Sequence, residues 1–168
     1  MIERQIRMSC SCFKAALLVF AILLSACGRR ASSSETERFP IESTTARNLS
    51  DRVASDLIHD RRSILRDTME NAFRETVEAN DFDSIIDQML QVYGRPIEFE
   101  FKQEELGSKL YADGTTKAMR KFWYAAETTK YEKGSHFLIV EVVPDGGELA
   151  VSSFAIVNFP LGIPETLK

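Results

Sequence analysis

The residues able to do chemistry are few and scattered. There are two histidines, His59 and His136. General acid–base catalysis needs a positioned pair of groups with shifted pKa values, and neither histidine has a partner at a telling spacing. His59 opens the polar stretch His59-Asp60-Arg61-Arg62, which suits a solvated side chain or a pair with a nearby Asp. His136 opens an apolar run beside Leu138 and Val140, which suits packing at a strand end. Carboxylates are plentiful: Asp81, Asp83, Asp87, Glu98, Glu100, Glu104 and Glu105. Asp81 and Asp83 have the opening spacing of a calcium loop but lack its central Gly and later Glu. Glu98 and Glu100 alternate with apolar residues and read as the wet face of a strand. No CxxC, HExxH, GxSxG or glycine-rich phosphate loop occurs. The sequence assigns no catalytic residue and no metal ligand.

Aromatic residues offer a candidate binding surface. Phe122, Trp123 and Tyr124 are consecutive on an expected strand, so Trp123 points to the face opposite its two neighbours. An outward Trp123 would mark a ligand or partner site, and core packing is the plainer alternative. Tyr111, Trp123 and Tyr124 are the candidate surface residues. A deep pocket holding them beside a buried acid would favour a ligand carrier or enzyme. A flat sheet with an exposed Trp123 would favour protein docking.

The three cysteines are Cys10, Cys12 and Cys27. Arg4, Arg7 and Lys14 precede an unbroken apolar run over residues 15–24, and small residues follow it. That order describes a secretory signal. A spanning helix needs about 18–20 apolar residues, and Arg29-Arg30 follow here at once. Leu24-Ser25-Ala26-Cys27 resembles the lipobox of bacterial lipoproteins. The resemblance implies a signal peptide over residues 1–26, cut between Ala26 and Cys27. It also implies diacylglycerol on the Cys27 thiol and an acyl chain on its new amine, and no other cofactor is expected. The partner it implies is the membrane, reached through that lipid, with the domain in the periplasm. Gly28 is not an Asp-type retention signal, so the resemblance, taken to enterobacterial lipoproteins, implies the outer rather than the inner membrane. Cys10 and Cys12 would leave with the signal, so the mature chain would hold no disulfide, although an exported compartment permits one.

Length and charge set the frame for these residues. The chain has 168 residues, 44% hydrophobic and 27% charged, with a net charge of −4. This is ordinary globular composition, and the length suits one domain. The acidic balance argues against nucleic acid as a partner, because phosphate binding needs a basic face. Loss of residues 1–26 removes Arg4, Arg7 and Lys14 but only Glu3, so the mature chain is more acidic still. Residues 27–48 read as the lipidated Cys and a flexible tether, and residues 49–168 as a single domain.

Within that domain, Leu49, Val53, Leu57, Ile64, Leu65, Met69, Ala72, Phe73 and Val77 step by threes and fours. The spacing predicts one long helix over about 50–79, N-capped by Ser50 and with a break near His59. Phe82, Ile85, Ile86, Met89, Leu90 and Tyr93 predict a second helix, closed by Gly94 and Pro96. Ile97, Phe99 and Phe101 then alternate as a half-buried strand. Further strands are expected over 118–131, 136–143 and 149–158, with Pro144-Asp145-Gly146-Gly147 as a hairpin turn. Helices before strands give an α+β class: N-terminal helices packed on a curved antiparallel four-stranded sheet, α-α-β-β-β-β. The apolar tail Phe159-Pro160-Leu161-Gly162-Ile163-Pro164 is expected to cover a sheet edge.

This order resembles the cystatin-like superfold and its nuclear-transport-factor-two-like cone domains. The resembling residues are Ala72-Phe73 with Ala79-Asn80-Asp81-Phe82, then Met89-Leu90-Gln91-Val92-Tyr93-Gly94, and the closing hairpin over 134–143 and 147–156. The family often carries a third helix before its sheet, for which this chain looks too short. The expected function is a non-enzymatic, membrane-anchored lipoprotein whose domain binds a protein partner, as an envelope adaptor or assembly factor. The alternatives are an immunity or inhibitor protein against an exported toxin or hydrolase, and a small apolar ligand carrier or cone-fold enzyme.

Overall fold

The computed structural model describes residues 42–158. The Leu24-Ser25-Ala26-Cys27 segment and the tail over 159–164 lie outside them. Helices α1 (Ser43–Ile58), α2 (Arg62–Asp67), α3 (Asn71–Thr76) and α4 (Ala79–Tyr93) come first. Strands β1 (Pro96–Leu110), β2 (Thr116–Thr128), β3 (His136–Asp145) and β4 (Glu148–Asn158) follow. The strands form one antiparallel sheet in the order β1-β2-β3-β4. The fold is α+β, with the helices packed on a curved sheet.

α1 forms because Ala46, Ser50, Val53, Ala54 and Leu57 fall on one face, and all five are buried. It packs against all four strands. It begins at Ser43, earlier than the expected Ser50, because Ala46 extends the buried face by another turn. Residues 43–48, read as tether, are therefore helical. Ser50 is no cap; it lies inside the helix and is fully buried.

The single long helix expected over 50–79 is instead three. The first break falls in the polar stretch after Ile58, where Asp60 takes a positive φ of 53° and the Arg61 N–H bonds to Asp56 O at 2.9 Å. The second falls at residues 68–70. There Met69 bridges Val151 in parallel, the Glu70 N–H donates to Val151 O at 2.9 Å, and the Val151 N–H donates to Thr68 O at 2.8 Å. The backbone exchanges helix bonds for bonds to β4. The apolar spacing keeps its meaning for burial, since Leu65 and Met69 are buried and Phe73 and Val77 pack on the core. Ile64 departs from it and is 45% exposed.

α4 buries Phe82 and Ile86 and rests Met89, Leu90 and Tyr93 against the core. Ile85, expected in the same stripe, faces outward at 48% exposure. β1 runs well beyond Phe101, through polar residues 102–105, and β2 ends at Thr128, short of the expected 131. Register shifts between Phe101 and Gln103 in β1, and between Glu141 and Val142 on the β3–β4 pair, mark bulges that bend the sheet. β2 pairs with β3 only from Arg120 to Ala126, while the β1–β2 ladder continues to Leu110↔Thr116. The far end of that hairpin is an arm that, among the described residues, pairs as strand only with itself.

Candidate functional site

The three aromatic candidates stand in three different places. Tyr124 is on the helix-facing side of β2, in the main core with Phe122, Leu138, Val140 and Ile156. Its phenol oxygen lies 2.7 Å from Ser50 Oγ and 2.8 Å from Asp51 Oδ1. The carboxylate can only accept, so the phenol donates to Asp51 and is free to accept from the Ser50 hydroxyl. Arg47 completes the group: its Nε bonds Asp51 at 2.8 Å and its guanidinium lies 3.3 Å from the centre of the Phe101 ring. Burial, with a contribution from Asp51, pushes the Tyr124 phenol well above its ordinary range, so it stays neutral.

Trp123 points the other way, as the alternation requires. It packs with Ala125 and Phe137, and Ile139 and Val157 flank them. The Trp123 and Phe137 rings meet edge to face at 6.4 Å. Trp123 is 8% exposed, so it presents no open aromatic surface. Its buried Nε1–H has no hydrogen-bond partner among the described residues.

Tyr111 sits at the tip of the arm. Its hydroxyl donates to Glu70 Oε2 at 2.8 Å, tying the arm to the junction of α2 and α3. Lys117 Nζ lies 5.0 Å from the Tyr111 ring centre, 3.3 Å from Asp145 Oδ1 and 3.8 Å from Glu70 Oε2. Lys109 Nζ reaches Ser152 O at 3.2 Å and Glu141 Oε2 at 3.4 Å. These contacts clasp the arm over the β3–β4 hairpin. Burial and the bond to Glu70 push the Tyr111 phenol up. The Asn71 amide and Lys117 hold the Asp145 carboxyl below its ordinary range. Burial acts to raise Glu141, but the Ser153 hydroxyl with Lys109 and Lys121 outweighs it and holds that carboxyl low.

The histidines have structural surroundings. His59 is exposed, with Nδ1 2.7 Å from Ser55 O. His136 is buried at the start of β3, with ring centres of Tyr131 at 4.0 Å and Tyr93 at 5.4 Å, and Nδ1 3.0 Å from Ser135 Oγ. Among the described residues no three His, Cys, Asp or Glu side chains converge as metal ligands, and no described helix is long and apolar enough to cross a membrane.

Sequence reasoning missed the exposed apolar residues. Leu106 and Leu110 on the arm are 75% and 73% exposed, and Ile85 and Val92 on α4 are 48% and 56% exposed. The available signal was the spacing of Leu106 and Leu110, which places both on one face of a strand; it lies in a run of polar residues that reads as loop. Comparison with protein-family models, with curated proteins and with solved structures found no match.

Proposed function

We propose that this chain is a bacterial lipoprotein, anchored through Cys27, whose domain binds a protein partner at the cell envelope as an adaptor or assembly factor. The anchor rests on Leu24-Ser25-Ala26-Cys27, and the observation that carries the partner-binding part is the outer face of α4. Ile85 and Val92 are two turns apart on that face and both open to solvent. Asp81 lies one turn before Ile85, and Asp87 stands beside the stripe, 66% exposed and held by Arg62 at 2.7 Å. An apolar stripe with acidic neighbours fits a partner groove that is apolar at its floor and rimmed by Lys or Arg.

The same acidity suits the second reading, an immunity or inhibitor protein, because acidic inhibitors steer onto basic targets. The third class, a carrier or cone-type enzyme, needs polar groups turned into an open cavity. The phenols of Tyr111 and Tyr124 are instead turned onto the domain's own Glu70, Ser50 and Asp51.

The test is capture with the full-length chain, solubilised from membranes, against envelope and secreted extracts. An Ile85→Ser, Val92→Ser double variant serves as control. The expected result is a stoichiometric protein bound by the parent chain and lost with the variant. Equal capture by both, or none by the parent, overturns the α4 reading. A captured toxin or hydrolase would select the inhibitor class.

A further inference from the structure

Among the described residues, nothing pairs with one side of the β1 backbone beyond Gln103. β1 is an edge strand of the sheet. The Tyr111 N–H bonds to Thr115 O at 2.9 Å, so Tyr111 and Thr115 form a hydrogen-bonded pair. The register from Gln103 to Leu110 is unbroken. The alternation therefore turns the N–H and C=O groups of Glu105, Gly107 and Lys109 toward β2, and those of Leu106, Ser108 and Leu110 outward. The outward-bonding residues include the most exposed apolar side chains of the described chain, Leu106 at 75% and Leu110 at 73%. An open edge with apolar side chains is a template for another strand. The usual protections are a proline, a bulge or an outward lysine. No proline or bulge stands between Gln103 and Leu110, Lys109 is turned back onto Glu141 and Ser152, and the two charges at the near end, Glu104 and Glu105, are engaged by Arg120 and Gln103.

We propose that the occupant of this edge is β1 of a second copy of the chain, paired antiparallel about a two-fold axis through Ser108. An axis there sets Leu106 opposite Leu110 of the second copy, and Leu110 opposite its Leu106, with the two Ser108 residues between. Each of the four leucines then has a leucine directly beside it, and no like charges face each other between Leu106 and Leu110. Neighbouring registers fail on the same residues. An axis at Gly107 sets Leu110 against Glu104 and Leu106 against Ser108. An axis at Leu106 sets Ser108 against Glu104. An axis at Glu105 or Lys109 stacks two like charges. Self-pairing depends on the sequence around Ser108 and not on α4, so it stands or falls apart from the partner reading. Anchoring of both copies in one membrane, which does rest on Cys27, would raise their effective concentration.

The test is Ser108→Cys in the full-length chain in its own membranes, oxidised with copper phenanthroline and read on a non-reducing gel. Directly opposed residues of a hydrogen-bonded pair have Cα atoms about 5.5 Å apart, inside the disulfide range of about 4.4–6.8 Å. The parent chain, with Cys10, Cys12 and Cys27, sets the background. The expected result is a strong dimer band for Ser108→Cys and only background for Leu110→Cys, whose symmetry mate lies roughly 13 Å along the strand. Leu106→Cys and Leu110→Cys chains expressed together should cross-link again. Adding Leu106→Lys and Leu110→Lys to the Ser108→Cys chain should return it to background. Ser108→Cys at background in a normally folded chain overturns the proposal. So does cross-linking of Leu110→Cys alone to the same extent, or cross-linking that survives the two lysines.

Discussion

Tyr124 links α1 to the sheet through one hydroxyl, and the cost of losing that hydroxyl can be bounded. Ser50 is fully buried, so Tyr124→Phe leaves its hydroxyl without the phenol. A buried polar group deprived of its partner costs about 1–3 kcal/mol. The expected result in urea is a lower midpoint with an unchanged slope, the pattern of lost stability without a change in compactness. Part of this arrangement was legible in the sequence. Strict alternation placed Tyr124 and Trp123 on opposite faces. The hydroxyl's partners were not legible, because Ser50 carried a strong N-cap signal and α1 begins at Ser43, about two turns earlier than that signal allowed. Trp123 shows the same limit: alternation fixed its direction, but its burial depends on Phe137, Ile139 and Val157 from other strands.

At the scale of elements, the most constrained junction is α4 to β1. Gly94 has φ 83° and ψ 173°, a region that essentially only glycine adopts. A Cβ there would lie 2.7 Å from Thr129 Oγ1 and 3.0 Å from Lys130 N. Gly94→Ala should therefore cost on the order of 1–3 kcal/mol, read as a lower thermal midpoint than Gly114→Ala, where an added Cβ meets nothing within 4 Å. The clasp on the arm makes a pH prediction. Glu141 and Asp145 are held below their ordinary values of 4.5 and 3.8. A depressed carboxylate contributes stability that is present above the unfolded value and lost as pH falls through the folded one. Unfolding titrated from pH 6 downward should show stability dropping below about pH 4.5, and a Glu141→Gln, Asp145→Asn chain should show a shallower drop. Helix 4 and the closing strands were legible from local periodicity. The break at residues 68–70 was not, because its cause is a bond to Val151, far along the chain. The length of β1 was hidden for a related reason: its far half buries almost no apolar side chain among the described residues, so Leu106 and Leu110 stand alone in a polar run.

At the scale of the whole molecule, the order of helices before strands was enough to give the α+β class, since an amphipathic helix layer and a one-sided sheet have few ways to bury their apolar faces. The membrane attachment proposed for Cys27 makes a clear expectation. Cys27→Ala should abolish incorporation of labelled fatty acid and leave the precursor uncut, while a Cys12→Ala chain should be processed normally. Labelling that persists in Cys27→Ala would remove the anchor from the proposal.

The arm also sets a timescale. Past Arg120, β2 has left β3, so residues 103–119 are fastened to the body by side chains such as Tyr111, Lys109 and Lys117. A segment so attached can lift away without the core unfolding, as a cooperative unit of lower stability. Amide hydrogens of Gly107 and Lys109, though bonded to β2, should exchange with deuterium sooner than those of Leu138 and Val140. A protease should nick between residues 105 and 116 while the remainder stays folded. The outward amides of Leu106, Ser108 and Leu110 carry one more signal: if copies pair there, their exchange slows as the chain is concentrated, and that of α1 does not.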